Sequence, residues 1–246
     1  MFALPWLLGF LIFTLGPLLV SIYLSFTSYD VLNPPKFIGL ENYRTLFRDP
    51  LFWKSLYNTF YMVVIGVPVN IIVAFGIALL LNVELKGIAL YRAIYYLPSI
   101  TPVVASSILW LWILNADFGI LNSTLAMFGI RGPNWLADPS WAKLAIIMMG
   151  AWQAGGNMLI YLAGLKGIPA QLYEAAEIDG AGTWYKFWRI TIPMISPTLF
   201  FNLIMGIIGT FQIFTQAYIM TGGGPLDSTL FYVYYLFNNA FSYFKM

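Results

Sequence analysis

The chain is 246 residues long, 60% hydrophobic and only 9% charged, with a formal net charge of +2. Soluble domains average about 45–50% apolar and about 25% charged residues, so this composition excludes an ordinary soluble domain and fits an integral membrane protein; the near-neutral balance leaves no basic footprint for nucleic acid. With no cysteine and no histidine, disulfides, zinc–thiolate or zinc–imidazole sites, cysteine nucleophiles and histidine acid–base chemistry are all removed, and no metal site is expected.

A hydrocarbon core about 30 Å thick needs about 20 mostly apolar residues as a helix. In chain order the candidate spans are 2–28, 55–83, 93–116, 144–165, 190–226 and 228–244, all free of Asp, Glu, Lys and Arg except where the fifth and sixth meet. The first has no basic leader and no small-x-small cleavage site and exceeds a signal-peptide core, so it is read as a retained span. The fifth is too long for one crossing and must contain a surface loop, with a tight glycine-rich turn at 221–227. The sixth is short. Both chain ends read as clipped, with the last helix truncated. Pro17, Pro68, Pro102 and Gly206 interrupt the spans, which membrane helices tolerate when neighbours satisfy the freed backbone groups. The expected architecture is all-α, a polytopic bundle of about six transmembrane helices. Alternation puts connections 82–92 and 166–189 on one side and 29–54, 117–143 and 221–227 on the other. Density of Lys and Arg slightly favours the 82–92 and 166–189 side as cytoplasmic.

Connection 166–189 holds a polar island, Tyr173-Glu174-Ala175-Ala176-Glu177-Ile178-Asp179-Gly180, followed by Ile190-Thr191-Ile192-Pro193. Three of the ten carboxylates of the chain fall within six residues here. Pro169 suits a helix start, and 171–179 reads as a short helix with Glu174 and Glu177 on one face. Gly180 is placed for a left-handed cap. Thr183 is placed to cap a second helix, 184–191, whose aromatic residues suit the membrane interface, and Pro193 leads into the next span. An interfacial helix lying on headgroups should be basic; this one is acidic, which favours docking on a protein, although the residues alone leave both readings open.

Glu174-Ala175-Ala176, three residues, Gly180, nine residues, then Ile190-x-Ile192-Pro193 resembles the EAA loop of ABC importer permeases, with Ile192 where that family usually has Leu. Gly39-Leu40-Glu41-Asn42-Tyr43 with Phe47, Asp49-Pro50, Phe52 and Asn58-Thr59 is similar to the sugar-uptake branch, as are Tyr95-Tyr96-Leu97-Pro98, opening the third span, and Thr221-Gly222-Gly223-Gly224-Pro225, which resembles an outer turn of the subunits related to the maltose and glycerol-3-phosphate permeases. The resemblance covers nearly the whole chain. It implies a type I ABC importer transmembrane fold, with residues 1–52 as first helix and outer loop and 53–246 as the transmembrane domain. It implies ATPase coupling through Glu174, Ala175, Ala176, Asp179, Gly180 and Pro193, with the loop cytoplasmic. It also implies a second homologous permease subunit, two cytoplasmic ATPase subunits that bind ATP and Mg, an extracytoplasmic solute-binding protein, and a place in a bacterial or archaeal cell membrane among lipid. No cofactor is expected in this chain.

The energetics read from the residues point the same way. Ionisable groups are missing from the middles of the spans, which argues against a proton-coupled carrier. No G-x-x-x-x-G-K-[ST] occurs, so ATP is not bound through a P-loop. The carboxylates lie in loops, which argues against a membrane enzyme. An importer driven by a partner, or an ATP-independent channel or facilitator, remains. Candidate path residues are uncharged. Gln153, Asn157 and Tyr161 recur every four residues on one face of the fourth span. Asn202, Gly206, Gly209 and Gln216 share a face of the fifth, with Gln212 one turn before Gln216. Ser106 lies one turn before Trp110 in the third. Amides can both donate to and accept from sugar hydroxyls; the alternative is helix–helix adhesion, where small and amide residues are also enriched.

Overall fold

The computed structural model describes residues 3–30 and 33–244; the expected first-span start at Phe2 and the terminal Lys245-Met246 lie outside the described residues. Helix α1 (Leu4–Leu24) buries none of its residues. A two-residue antiparallel ladder follows, β1 (Thr27–Ser28) against β2 (Lys36–Phe37), Thr27 opposite Phe37. Then come α2 (Glu41–Arg48), α3 (Pro50–Leu81), α4 (Ile88–Ile100, its last turn 3₁₀), α5 (Val103–Ile113) and α6 (Ile120–Met127). They are followed by α7 (Pro139–Trp152), α8 (Gly155–Lys166), α9 (Ala170–Ile178), α10 (Thr183–Phe211), α11 (Thr215–Met220) and α12 (232–242).

The chain is a multi-pass membrane protein. Among the described residues α1, α3 and α10 are long and apolar enough to cross a membrane unbroken, and the pairs α4–α5 and α7–α8 qualify if each bent pair is one span. The sixth apolar stretch carries only the short α12, six α-helical residues running into a π-helical turn. Each of the three unbroken helices absorbs one of its prolines in the same way. A π-helical turn at Leu11–Leu15, Met62–Gly66 or Phe187–Thr191 ends two residues before Pro17, Pro68 or Pro193. Proline lacks the N–H and collides with the carbonyl four residues back; widening the preceding turn relieves the collision and the helix continues.

Several expected boundaries move. The third span is two helices bent by 98°, because Pro102 forces Thr101 into extended backbone (ψ 130°); Tyr95-Tyr96-Leu97-Pro98 closes the first of them instead of opening the span. The stretch 184–191 is not a separate helix but the start of α10, and its cap is Gly182, not Thr183. Helices α3 and α7 begin earlier than their apolar runs, because Asp49 and Asp138 cap them (2.8 Å to Leu51 N and to Ser140 N) with proline at the first helical turn. Lys54 and Lys143 therefore stand inside the helices.

Two cores hold the bundle. At the island end, Ala74, Phe75, Ala78 and Leu81 of α3 pack on Met158, Tyr161, Leu162 and Leu165 of α8 and on Ile195 of α10. At the far end, Phe52, Leu114, Trp135, Met149, Met220, Phe231 and Tyr235 form the second core, beneath the glycine-rich turn. That turn uses left-handed backbone at Gly222 and Gly223 and also at Leu226 (φ 50°) and Asp227 (φ 57°), and Thr229 Oγ1 donates to Gly224 O at 2.7 Å.

Candidate transport path and coupling surface

Between the cores lies a cavity of about 210 Å³ whose polar lining is Asn70 of α3, Gln153 and Asn157 at the α7–α8 break, Asn202 and Thr210 of α10, and Gln216 of α11. The 50° bend between α7 and α8 builds it. Gly155 permits the bend: a Cβ there would lie 2.2 Å from Tyr95 O and 2.8 Å from Tyr96 Cα, so only glycine lets α8 start against the α4 corner. Asn70 Nδ2 donates to Gly150 O (3.0 Å), Asn157 Nδ2 donates to Asn70 Oδ1 (2.9 Å), and Gln153 Nε2 donates to Ser106 Oγ (3.1 Å). Amides inside the apolar spans thus find partners with hydrogen-bonding capacity to spare toward the cavity.

Of the eight residues singled out from sequence, Gln153, Asn157, Asn202 and Gln216 line the cavity. Ser106 is fully buried behind Gln153. Trp110 turns its ring toward Trp152, centroids 6.1 Å apart, and its Nε1 has no partner among the described residues. Tyr161 lies deep in the island-end core, its ring edge-on to Phe75 at 5.5 Å, its hydroxyl without a partner among the described residues. The stripe from Gln153 therefore changes character along α8, from cavity wall to packing surface: beyond Tyr161, Gly164 sits where a Cβ would meet Thr198 Oγ1 at 2.9 Å. Gln212 is not one turn before Gln216 on a helix, because α10 ends at Phe211 and Gln212 is its exposed C-cap. Asn70 was missed. A lone amide makes no stripe, and the available signal was its cost: an amide amid apolar residues in a span must meet a partner.

The island folds as a capped helix. Asp179 ends α9, Gly180 turns left-handed (φ 76°), Ala181 N donates to Ala176 O at 2.8 Å and Gly180 N to Glu177 O at 3.0 Å, the paired bonds of a Schellman motif. The helix is clasped to α10 by Tyr173 Oη against Thr191 Oγ1 (2.9 Å) and by Lys186 Nζ on Glu177 Oε1 (2.6 Å). Glu174, Ala175 and Asp179 are exposed, Ala176 is half-buried, and Ile178 is 87% exposed. Pro193 lies on exposed helix surface just past the π-helical turn.

The family model of the binding-protein-dependent transport system inner membrane component matches residues 52–245. The chain belongs to that family. The permease is 46% identical over 247 residues to the probable ABC transporter permease protein YesP of Bacillus subtilis (strain 168), covering 98% of this chain and 80% of the relative. It is 40% identical to the lactose transport system permease protein LacF of Rhizobium radiobacter, covering 94% and 79%. The crystal structure of a bacterial alginate ABC transporter in complex with an alginate pentasaccharide-bound periplasmic protein matches with a TM-score of 0.85 at 26% identity, over 98% of this chain and 82% of that one. The permease has the transmembrane fold of ABC importers, and a free-standing channel or facilitator is not favoured.

Proposed function

We propose that this permease is the non-catalytic membrane subunit of an ATP-driven importer for a carbohydrate or related polyol or sugar phosphate. A second, homologous permease completes the pore. Two cytoplasmic ATPase subunits bind ATP and Mg. An extracytoplasmic binding protein delivers the solute to the far end, and the island faces the cytoplasm of a bacterial or archaeal cell. The observation that carries this reading is the mounting of α9. Only residues 167–169 separate it from α8, and its hydrogen bond and ion pair tie it to α10, yet Glu174, Asp179 and Ile178 project from it without a partner among the described residues. A helix rigidly joined to two spans and bare on its other side suits a surface pushed by a soluble motor. The carbohydrate class is supported by the amide-lined cavity and by the lactose and alginate named in the relatives.

The test is co-purification from native membranes. A P-loop ATPase is expected with the unsubstituted permease and is lost with Glu174→Lys and with Gly180→Val, whose side chain cannot adopt the left-handed cap. Solute uptake that persists without any ATPase would overturn the proposal.

A further inference from the structure

We propose that Asn70 is the positioning residue of the transport path: its side chain latches the two halves of the broken fourth span, and a hydroxylated solute in the cavity competes for that latch. The inference rests on reading the cavity as the path. The last turn of α7 closes on itself, Gly150 O accepting from Gln153 N at 3.1 Å, and this carbonyl has a second lone pair to offer. Asn70 takes it: its amide nitrogen donates to Gly150 O at 3.0 Å while its oxygen accepts from Asn157 Nδ2 at 2.9 Å. One side chain on the unbroken α3 thus holds the end of α7 and the first turn of α8 together across a 50° bend. Gln153, inside the break, is tied away from this pair, to Ser106 of α5.

Both latch amides line the cavity. A solute hydroxyl can donate to Asn70 Oδ1 and accept from Asn157 Nδ2, and this pair of bonds replaces the one between the two side chains. Both side-chain atoms keep a partner in the exchange, so the latch opens at low cost when a polyhydroxylated solute is present. Because α8 runs into α9 through three residues, a change of bend at Gln153–Ala154 moves the island surface. Occupancy of the cavity and engagement of the island are then two influences on one bistable joint, and each shifts the other equally.

The chain contains no cysteine, so two can be introduced without background. Ser140→Cys and Lys166→Cys, exposed near the distal ends of α7 and α8, carry nitroxide labels, and the permease, assembled with its partner subunits in lipid nanodiscs, is measured by pulsed electron–electron double resonance without solute. Asn70→Ala and, separately, Asn157→Leu are expected to broaden the label-to-label distance distribution and move its mean in the same direction, whereas Ser106→Ala leaves it in place. Distributions in both latch variants that superimpose on the unsubstituted permease overturn the proposal, as does an equal shift in Ser106→Ala. Failure of the path reading has a different signature: Asn202→Leu and Gln216→Leu leave the uptake KM unchanged while the distances still move in Asn70→Ala.

Discussion

The two ends of this bundle are held by different physics. At the far end, side chains bond groups from distant parts of the chain. Asn58 Nδ2 donates to Asp227 O (2.7 Å) and Leu230 O (3.0 Å), Thr59 Oγ1 accepts from Tyr232 N (3.0 Å), Lys54 Nζ donates to Leu226 O (2.6 Å), and Tyr235 Oη donates to Asp49 Oδ2 (2.7 Å). Lys143 joins them through Asn58 Oδ1 (3.1 Å), its ammonium 4.6 Å from the Tyr61 ring and 5.1 Å from that of Tyr57. At the island end the contacts are close approaches of small residues, Ala74, Ala78, Gly155 and Gly164, with few polar ties. Directional bonds fix register, while small residues let helix backbones approach closely. One end is held by directional bonds and the other mainly by close packing, and the polar cavity lies between them.

If the island end is held by close approach, its most sensitive position is a glycine. Gly155→Val places a side chain 2.2 Å from a backbone oxygen that cannot rotate away, and the expected loss is about 3 kcal/mol or more. Thermal unfolding in detergent checks it, with Gly76→Ala, where nothing lies within 4 Å of the added Cβ, expected to be neutral or slightly stabilising. A Gly155→Val permease that melts with the unsubstituted one would show that α8 does not rest on the α4 corner.

The far end should respond to loss of a bond instead. Asn58, 1% exposed, serves two carbonyls and one ammonium. Asn58→Leu strands all three, for about 2–4 kcal/mol. The same change should raise amide exchange across 223–231 while leaving 155–168 protected. Uniform loss of protection at both ends would mean that the cores melt as one unit and that the bonded and the packed end are not distinct.

How much of this could be read beforehand depended on the kind of signal. The capped island helix was legible because its pieces are local: Pro169 to start, a short run of helix formers, Gly180 to stop. The starts of α3 and α7 were equally local, since Asp49-Pro50 and Asp138-Pro139 are cap-and-first-turn pairs, but segmentation by hydropathy cut both helices at the lysines. The breaks were harder. Pro102 advertises the α4–α5 corner, whereas nothing in Trp152-Gln153-Ala154-Gly155-Gly156 distinguishes a bend from a flexible helix until the Tyr95 backbone is seen against Gly155. Path residues divided for a similar reason. Gln153, Asn157 and Tyr161 share a helical face, but which part of that face meets a void is set by the other helices, and Asn70 gains its role only from partners 80 and 87 residues away.

Tyr161 sharpens the boundary between path and packing. Its hydroxyl is buried without a partner, so Tyr161→Phe removes an unsatisfied polar group and fills nearly the same volume. The expected change is a gain of about 1 kcal/mol with unchanged uptake. A loss of uptake without loss of stability would extend the path past the cavity into the island-end core.

The smallest effect is expected where the island meets α10. The Glu177–Lys186 pair is short, 2.6 Å, with the glutamate 63% and the lysine 17% exposed, and pairs open to solvent on one side lie near the range of about 0.2–1 kcal/mol for surface pairs. Glu177→Gln should therefore cost no more than about 0.5 kcal/mol, because Tyr173 against Thr191 and the capped turn still seat α9. The same reasoning fixes the salt dependence. At about 1 M salt the screening length falls to about 3 Å, so the unfolding curves of the unsubstituted permease and of Glu177→Gln should converge. A cost above about 2 kcal/mol that survives high salt lies outside what an exposed pair supplies. The island would then be pinned by directional bonds as the far end is, and α9 could not shift against α10 without breaking them.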